Sequence, residues 1–253
     1  MKISVITVAY NSAATIGDTM QSVASQTHAD IEHVVIDGAS SDDTLTVVRR
    51  HGSHVAKLVS ESDRGIYDAM NKGLRLVTGD LVGFLNADDT FADDAVLASI
   101  AAAAEDPSVD AVYGDLVYVK NSRPDETLRY WRSGPFVRSS LRRGWMPPHP
   151  TLYVRRSRIG ELGPFDCSFK VAADYDFVLR YLMQPDFRAA YVPKVLVRMR
   201  TGGASNRSVA AIIDKSREDL RALRSNHVGG SLALLCKNVR KLPQFFSRPV
   251  AAR

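Results

Sequence analysis

The stretch Leu81-Val82-Gly83-Phe84-Leu85-Asn86-Ala87-Asp88-Asp89-Thr90 constrains the fold more than any other. A near-continuous apolar run of strand length reads as a strand buried on both faces, as in a parallel sheet. It ends abruptly in two adjacent carboxylates. In open α/β sheets, ligands sit in the crevice beyond the carboxyl ends of the strands. Two acids there repel each other unless a cation or a hydroxyl-rich ligand lies between them. Hard oxygen ligands of this kind suit Mg²⁺ or Mn²⁺, which bind through one or two carboxylates plus phosphates. The alternative is a solvated helix start, since Asp also N-caps and the apolar positions of Ala92 to Ala103 follow.

The preceding segments repeat the rhythm. Ile3 to Ala9 is β-branched and stops at Tyr10-Asn11-Ser12; Ile16, Met20 and Val23 then recur at helical spacing. Ile31 to Ile36 is a second strand ending in Asp37-Gly38-Ala39-Ser40-Ser41-Asp42-Asp43-Thr44, with Ser41 as a candidate N-cap for the next helix. A third strand, Lys57 to Ser60, runs into Glu61-Ser62-Asp63-Arg64-Gly65, and Ile66, Met70 and Leu74 mark a third helix. Three βα units before the Leu81 strand predict a parallel sheet with right-handed crossovers. Asn11, Asp37, Asp63 and the Asp88-Asp89 pair all fall just past strand ends, so the fold gathers them along one edge. Any one of these is an ordinary turn residue; acids or amides at every strand end are harder to dismiss. The dinucleotide fingerprint and the glycine-rich phosphate loop are both absent after the first strand. A nucleotide site here would use side chains and a metal.

At 253 residues the chain buries a core without staples, and its 45% hydrophobic and 24% charged residues are ordinary for a globular protein. Cys167 and Cys236 form no ligand pattern and are compatible with a reducing compartment. A strand pattern that starts at Ile3 leaves no room for a leader, and no run approaches the roughly 18 apolar residues of a membrane span. The expected location is cytoplasmic, with peripheral attachment to the cytoplasmic face of the inner membrane. The net charge of +5 is unevenly placed: Ser231 to Arg253 hold Lys237, Arg240, Lys241, Arg248 and Arg253 and no acid. That asymmetry suggests an anionic partner, a lipid surface or a phosphorylated substrate.

Four motifs in order, Thr7-Val8-Ala9-Tyr10-Asn11, Asp37 to Thr44, Asp63 to Gly73 (with Asn71 inside it) and Asn86-Ala87-Asp88-Asp89, resemble glycosyltransferase family 2. Gly65 to Gly73 is similar to the colanic acid and exopolysaccharide branch. The similarity covers roughly residues 1 to 205. It implies the GT-A fold: α/β, with a Rossmann-like, mostly parallel central sheet flanked by helices, a smaller acceptor-side part and a C-terminal helical tail. It also implies inversion at the anomeric carbon. The expected division is a glycosyltransferase domain at 1–205, split into a nucleotide-sugar half (1–115) and an acceptor and catalytic half (116–205), followed by a basic helical extension at 206–253. By the same resemblance Thr7, Ala9, Tyr10, Asn11, Asp37, Asp63, Asn71, Asn86 and Asp88 bind the donor. Asp89, with Asp88, holds Mg²⁺ or Mn²⁺. Asn86 stands where many members have Asp, and an amide is a poor metal ligand, so the metal is placed on the two aspartates.

The second half is basic and aromatic. Arg123, Arg129, Arg132, Arg138, Arg142 and Arg143 interleave with Tyr130, Trp131, Phe136 and Trp145. No nucleic-acid recognition signature accompanies them. Beside ordinary solvated surface, the mixture suits an acceptor that carries diphosphate and sugar rings. Arg142, Arg143, His149 and Arg200 are candidates for acceptor or diphosphate contact, His149 with a structural role as its alternative. Two short strands, 111–113 and 116–118, are expected around Gly114-Asp115, and Ala189 to Val197 is a later strand. In Phe169 to Leu182, positions 174, 177, 178, 181 and 182 form one helical stripe. Asp174 therefore lies in line with the buried face, and Asp176 pairs with Arg180 on the exposed side. A carboxylate on a core stripe is paired, capping or at work. N-capping is one reading and a general base at a cleft rim the other; the resemblance places the catalytic base on the same Asp174. In Gly202-Gly203, a mobile loop over the donor and a plain turn both fit, with Arg200 and Arg207 beside it.

The tail combines Leu232, Leu234, Leu235, Val239, Leu242, Phe245 and Phe246 with its basic residues, an amphipathic surface pattern. Each such cation contributes about 1 kcal/mol near an anionic leaflet. The same apolar residues could pack on the core or on a second copy in a homodimer. The expected function is transfer of a sugar from a nucleotide-diphospho-sugar to a lipid-linked saccharide acceptor in cell-surface polysaccharide biosynthesis, with no nucleic acid involved. The alternatives are a non-catalytic sugar-nucleotide-binding subunit and a sugar-nucleotide pyrophosphorylase, whose glycine-rich basic loop after the first strand is missing here.

Overall fold

The structure, a computed structural model, describes residues 1–121, 123–201 and 209–245. Gly202, Gly203, Arg207, Phe246, Arg248 and Arg253 lie outside them. The first half alternates β1 (Ile3–Ala9), α1 (Ile16–Ala24), β2 (Ile31–Asp37), α2 (Thr44–His51), β3 (Val55–Ser60), α3 (Ile66–Leu76) and β4 (Leu81–Phe84). There follow β5 (Thr90–Phe91), α4 (Val96–Ala103), β6 (Ala111–Lys120), β7 (Arg123–Trp131), β8 (Tyr153–Arg155), α5 (Arg156–Leu162), α6 (Ala173–Leu182), β9 (Ala189–Arg200), α7 (Val209–Ser225) and α8 (Ser231–Val239).

Among the described residues the strands form one sheet in the order β3-β2-β1-β4-β8-β6-β9-β5, with β7 paired to β6. The parallel block is confined to β3-β2-β1-β4. Beyond it β8 runs antiparallel to both β4 and β6, β9 is parallel to β6, β7 forms an antiparallel hairpin with β6, and β5 pairs antiparallel with the distant β9. The sheet is thus parallel where βα units repeat and mixed where short segments double back.

Period-two alternation divides the core. Ile6, Val8, Val82 and Phe84 join α3 and α6 in one cluster, while Ile3, Val5 and Leu81 join α4 in another. Both faces are covered, which is why β1 is buried throughout. Gly83 has no side chain because the Tyr153 ring occupies the space a Cβ would need.

Several local expectations change. The segment after the acid pair extends as β5 before α4 begins at Val96, so neither Asp88 nor Asp89 caps that helix. The two short strands around Gly114-Asp115 are one ten-residue strand with a register irregularity there, because Asp115 turns inward to accept Tyr130 O–H, Tyr191 O–H (2.9 Å) and Ser133 N–H (2.8 Å). The buried face of α3 is rotated: Ile66 is exposed, while Tyr67, Met70 and Asn71 face inward. α6 is buried almost all round, and Asp176 is buried too, bonded by Asn226 Nδ2 at 2.8 Å besides Arg180 at 3.3 Å. Its pair with Arg180 exists, yet α7 covers it.

Thr7 is also interior. Its hydroxyl is hydrogen-bonded to His33 Nε2 at 2.9 Å, and His33 Nδ1 to His54 Nε2 at 3.0 Å. Burial, and then the neighbouring His54, hold His33 down at about 3, against an ordinary 6.5. Between those values the unfolded chain binds a proton the folded chain refuses, so stability is complete above pH 6.5 and falls as pH drops through the window. Urea denaturation from pH 7 to pH 4 should show a loss approaching roughly 1 kcal/mol per pH unit from this group, and His33→Gln should flatten that slope.

Candidate active site

Parallel register brings the strand ends level: Ala9 pairs with Asp37, and Asp37 with Ser60. Past β1, Tyr10 is 67% exposed and Asn11 adopts φ 49°, a left-handed conformation that Asn tolerates. Asn11 Oδ1 accepts Ser41 N–H at 2.9 Å, and its own N–H donates to Ser40 Oγ at 2.8 Å. Asp37 is fully buried and accepts from Ser40 N–H (3.1 Å), Ser40 Oγ and Ser60 Oγ (2.6 Å). Asp63 accepts Gly65 N–H at 2.8 Å and leans over Gly38, where any Cβ would stand 2.5 Å from its Oδ2 and 3.4 Å from the Tyr10 ring. Tyr10 and Asp63 thus close on a glycine, where a Cβ would push the Asp63 carboxylate aside, and leave an aromatic face beside a carboxylate.

At the end of β4 the acid pair is asymmetric. Asp89 is fully buried; its Oδ1 accepts the Arg200 N–H at 3.2 Å and its Oδ2 accepts Asn86 Nδ2 at 3.2 Å. Thr19 Oγ1 donates to the Asp89 carbonyl at 2.8 Å. Asp88 is only partly buried. Burial, and for Asp89 then the charge of Asp88, push both carboxyls above their ordinary range. Asn86 Oδ1 is buried with no hydrogen-bond partner. A divalent cation fits this donor set with Asp88 as the available carboxylate, phosphate oxygens brought by a ligand, and the Asn86 oxygen as a weaker neutral donor. Both Asp89 oxygens, expected to be the chief ligands, already accept hydrogen bonds. Among the described residues no group of three or more His, Cys, Asp or Glu forms an all-protein cage. Arg200 is buried, pairs with Asp18 through its guanidinium, and thereby ties β9 to α1.

Asp174 lies in the first turn of α6. Its Oδ1 accepts Tyr67 O–H at 3.2 Å and Tyr175 N–H at 2.8 Å. The amides leading into α6 are taken by another carboxylate: Glu218 of α7 accepts from Lys170 (2.9 Å), Val171 (2.8 Å) and Ala172 (3.0 Å). His149 is buried between Phe84 (5.4 Å, stacked) and Phe165 (5.5 Å, edge-on); burial lowers its pKa, and the charge of Asp174 works the other way. Tyr118 of β6 lies within electrostatic range of both acidic centres. Burial raises its pKa first, Arg129 opposes, and the charges of both Asp89 and Asp174 add to the rise.

Several predicted positions sit elsewhere. Thr7 and Ala9 are buried in the sheet. Arg142 and Arg143 are exposed on the 3₁₀ turn Arg138–Arg143, where the Arg143 carbonyl accepts Arg240 Nε–H at 3.0 Å. Asn71 is a clamp: its amide donates to the Phe165 carbonyl at 2.9 Å and accepts Phe165 N–H at 3.0 Å. Sequence reasoning missed Tyr67 and Tyr118 as site residues. Tyr67 stood inside a motif already singled out, one residue from the apolar stripe; nothing local marked Tyr118. Replacing Asn71 by Ala leaves the buried Phe165 N–H unpaired and its C=O with only the Cys167 Sγ contact at 3.9 Å. Chemical denaturation should show a loss of about 1–3 kcal/mol, with ligand affinity unchanged once the protein is folded.

Comparison with known proteins bears on the family and the fold. The sequence model of the family described as Glycosyl transferase family 2 matches residues 4–169. The chain is 32% identical over 257 residues to the PGL/p-HBAD biosynthesis glycosyltransferase of Mycobacterium tuberculosis, covering 99% of this chain and 94% of the relative. It is 33% identical over 187 residues to an uncharacterized glycosyltransferase of the same species, covering 70% and 68%. Among solved structures, S. aureus TarS 1–349 in complex with UDP-GlcNAc superposes with a TM-score of 0.71 at 22% identity, over 90% of this chain and 66% of that one. The mannosyltransferase PcManGT from Pyrobaculum calidifontis, in complex with GDP-Man and Mn²⁺, gives 0.67 at 24% identity, over 97% and 73%.

Proposed function

The chain belongs to glycosyltransferase family 2, with the mixed α/β fold of GT-A enzymes, and from that premise we propose that it transfers a sugar from a nucleotide-diphospho-sugar to a hydroxyl of a saccharide acceptor with inversion. The observation that carries the reading is the arrangement of the carboxylates: Asp88 lies just past β4, Asp89 beside it is braced by the Arg200 amide, and Asp174 stands in the first turn of α6 with the Tyr67 hydroxyl on it. The acceptor hydroxyl gives its proton to Asp174 as its oxygen attacks the anomeric carbon. The bond from that carbon to the diphosphate breaks on the opposite face, and the electron pair leaves with the nucleoside diphosphate. Tyr67 donates to Asp174 and fixes its orientation. Tyr10, Asn11 and Asp63 offer the aromatic face and polar groups for the base and ribose, with Asp37 behind them.

Asp88, the accessible member of the pair, is the carboxylate we place at the donor diphosphate, with Asp89 bracing it through Asn86 and Arg200. Mg²⁺ or Mn²⁺ bound there supplies Lewis-acid neutralisation of the departing charge. The setting is glycoconjugate biosynthesis, as the named relatives suggest. A lipid-linked acceptor is supported by Leu232, Leu235, Val239, Leu242 and Phe245, all more than half exposed beside Arg240 and Lys241. Among the described residues no helix is long and apolar enough to cross a membrane, so attachment would be peripheral.

Three measurements test this. Asp174→Asn should lose about 10² to 10⁴ in turnover while still binding donor; near-normal turnover would remove Asp174 as the base. Asp88→Asn should abolish the dependence of donor affinity on added Mn²⁺, whereas Asp89→Asn should chiefly lower the melting temperature. A thermal-shift panel of nucleotide sugars with Mn²⁺ should single out one donor, since a ligand at about 100 times its dissociation constant stabilises by roughly 2.7 kcal/mol.

A further inference from the structure

We propose that the cavity between β7, residues 144–146 and α8 is a second binding site, for a phosphate-bearing ligand whose sugar or other flat group stacks on tryptophan. Resting on the transferase reading, its natural occupant is the phosphate end of the acceptor. The cavity measures about 270 Å³, near the lower end of ligand pockets. Arg132, Arg240 and Lys241 line it together with Tyr130, Trp131 and Trp145.

Its charge is unbalanced. No acid lines it, and the cation buried most deeply in its wall, Lys237, is already taken by Asp219 at 2.7 Å. Arg132, Arg240 and Lys241 have no acidic partner within ion-pair distance among the described residues. Arg129 stands behind the wall, over the rings of Tyr118 (4.6 Å) and Trp131 (5.6 Å) and bonded to Gln244 Oε1. Burial, then the like charges of Lys215 and Arg129, depress the Lys241 pKa, with only Asp219 working against them. Crowded cations of this kind are relieved by an anion, and guanidinium and ammonium groups beside indole faces suit phosphate joined to a ring.

Position supplies the link to chemistry. The Lys237 ammonium sits 3.4 Å from the centroid of Tyr175, the residue after Asp174, and the charge of Asp174 reaches Lys237. The Lys237–Tyr175 contact therefore joins the cavity wall to α6, the helix that carries Asp174. Val239, Leu242 and Phe245, all exposed, alternate along the chain with the lining residues Arg240, Lys241 and Gln244. A lipid chain attached to a phosphate in the cavity would leave over them.

Trp131 and Trp145 are the only tryptophans in the chain and both line the cavity, so emission excited selectively at tryptophan reports on it. The full-length protein is titrated with inorganic pyrophosphate in EDTA without nucleotide, and separately with phosphatidylglycerol or phosphatidylcholine vesicles. A saturable emission change is expected that weakens at least about tenfold in Arg132→Gln/Lys241→Gln; Lys241→Glu gives an independent check on a chain of one substitution. A response to pyrophosphate assigns the site to free or exposed phosphate, and one confined to phosphatidylglycerol vesicles assigns it to a lipid headgroup. No change with either, or an equal change in the variants, overturns the proposal. The readout needs neither donor, metal nor turnover, so an inactive enzyme that still binds pyrophosphate would count against the transferase reading only.

Discussion

The buried carboxylate of Asp89 ties together the parts of the cleft. A charge-bearing group with no exposed surface is tolerable only when its oxygens are hydrogen-bonded, and the donors come from two separate places. Asn86 lies three residues before it in the same loop; the Arg200 amide belongs to the end of β9, 111 residues away. Thr19 and Asp18 of α1 complete the knot by holding the Asp89 carbonyl and the Arg200 guanidinium. The loop after β4, the first helix and the last strand are thereby fixed to one another. Asp88, adjacent in the chain, is left as the partly exposed carboxylate at a rigid rim.

The catalytic-side helix is held in a comparable way from the other direction. Glu218 gathers the amides that lead into α6, Asn226 bonds Asp176, and Lys237 bridges Asp219 and the face of Tyr175. The residues of α7, of the turn after it and of α8 that do this come from the C-terminal extension. Burying Lys237 costs solvation, and its pKa falls to about 8, with burial as the main cause and Asp219 partly compensating. Such a pair adds little net stability, but it sets where α8 lies against α7. Gly144, at φ 72°, lets the backbone of Lys237 approach more closely than any side chain would allow. The tail is thus part basic surface and part brace for the helix that carries Asp174.

The legible parts of the sequence were those governed by local period and position. Apolar β-branched runs marked β1, β2, β4 and the end of β3, and the polar residues that follow, Tyr10, Asn11, Asp37, Asp63 and the acid pair, do lie at or past strand ends. The failures share a cause. Ile66 looked like core by spacing, yet α3 is turned so that Tyr67 and Asn71 meet Asp174 and Phe165, partners 107 and 94 residues away. Asp176 looked exposed until α7 covered it. Thr7 belonged to a donor motif by resemblance but points at His33.

The sequence alone determined that strands buried on both faces must alternate with amphipathic helices, and that such a sheet gathers its strand-end carboxylates along one edge. Hydrophobic period and turn chemistry suffice for that, because each acts within a few residues. Tertiary structure decided which carboxylate is buried and which is offered, that Tyr67 meets Asp174, and which cations of the tail face inward. Those outcomes depend on hydrogen bonds and desolvation between segments about a hundred residues apart, where no local pattern carries the information.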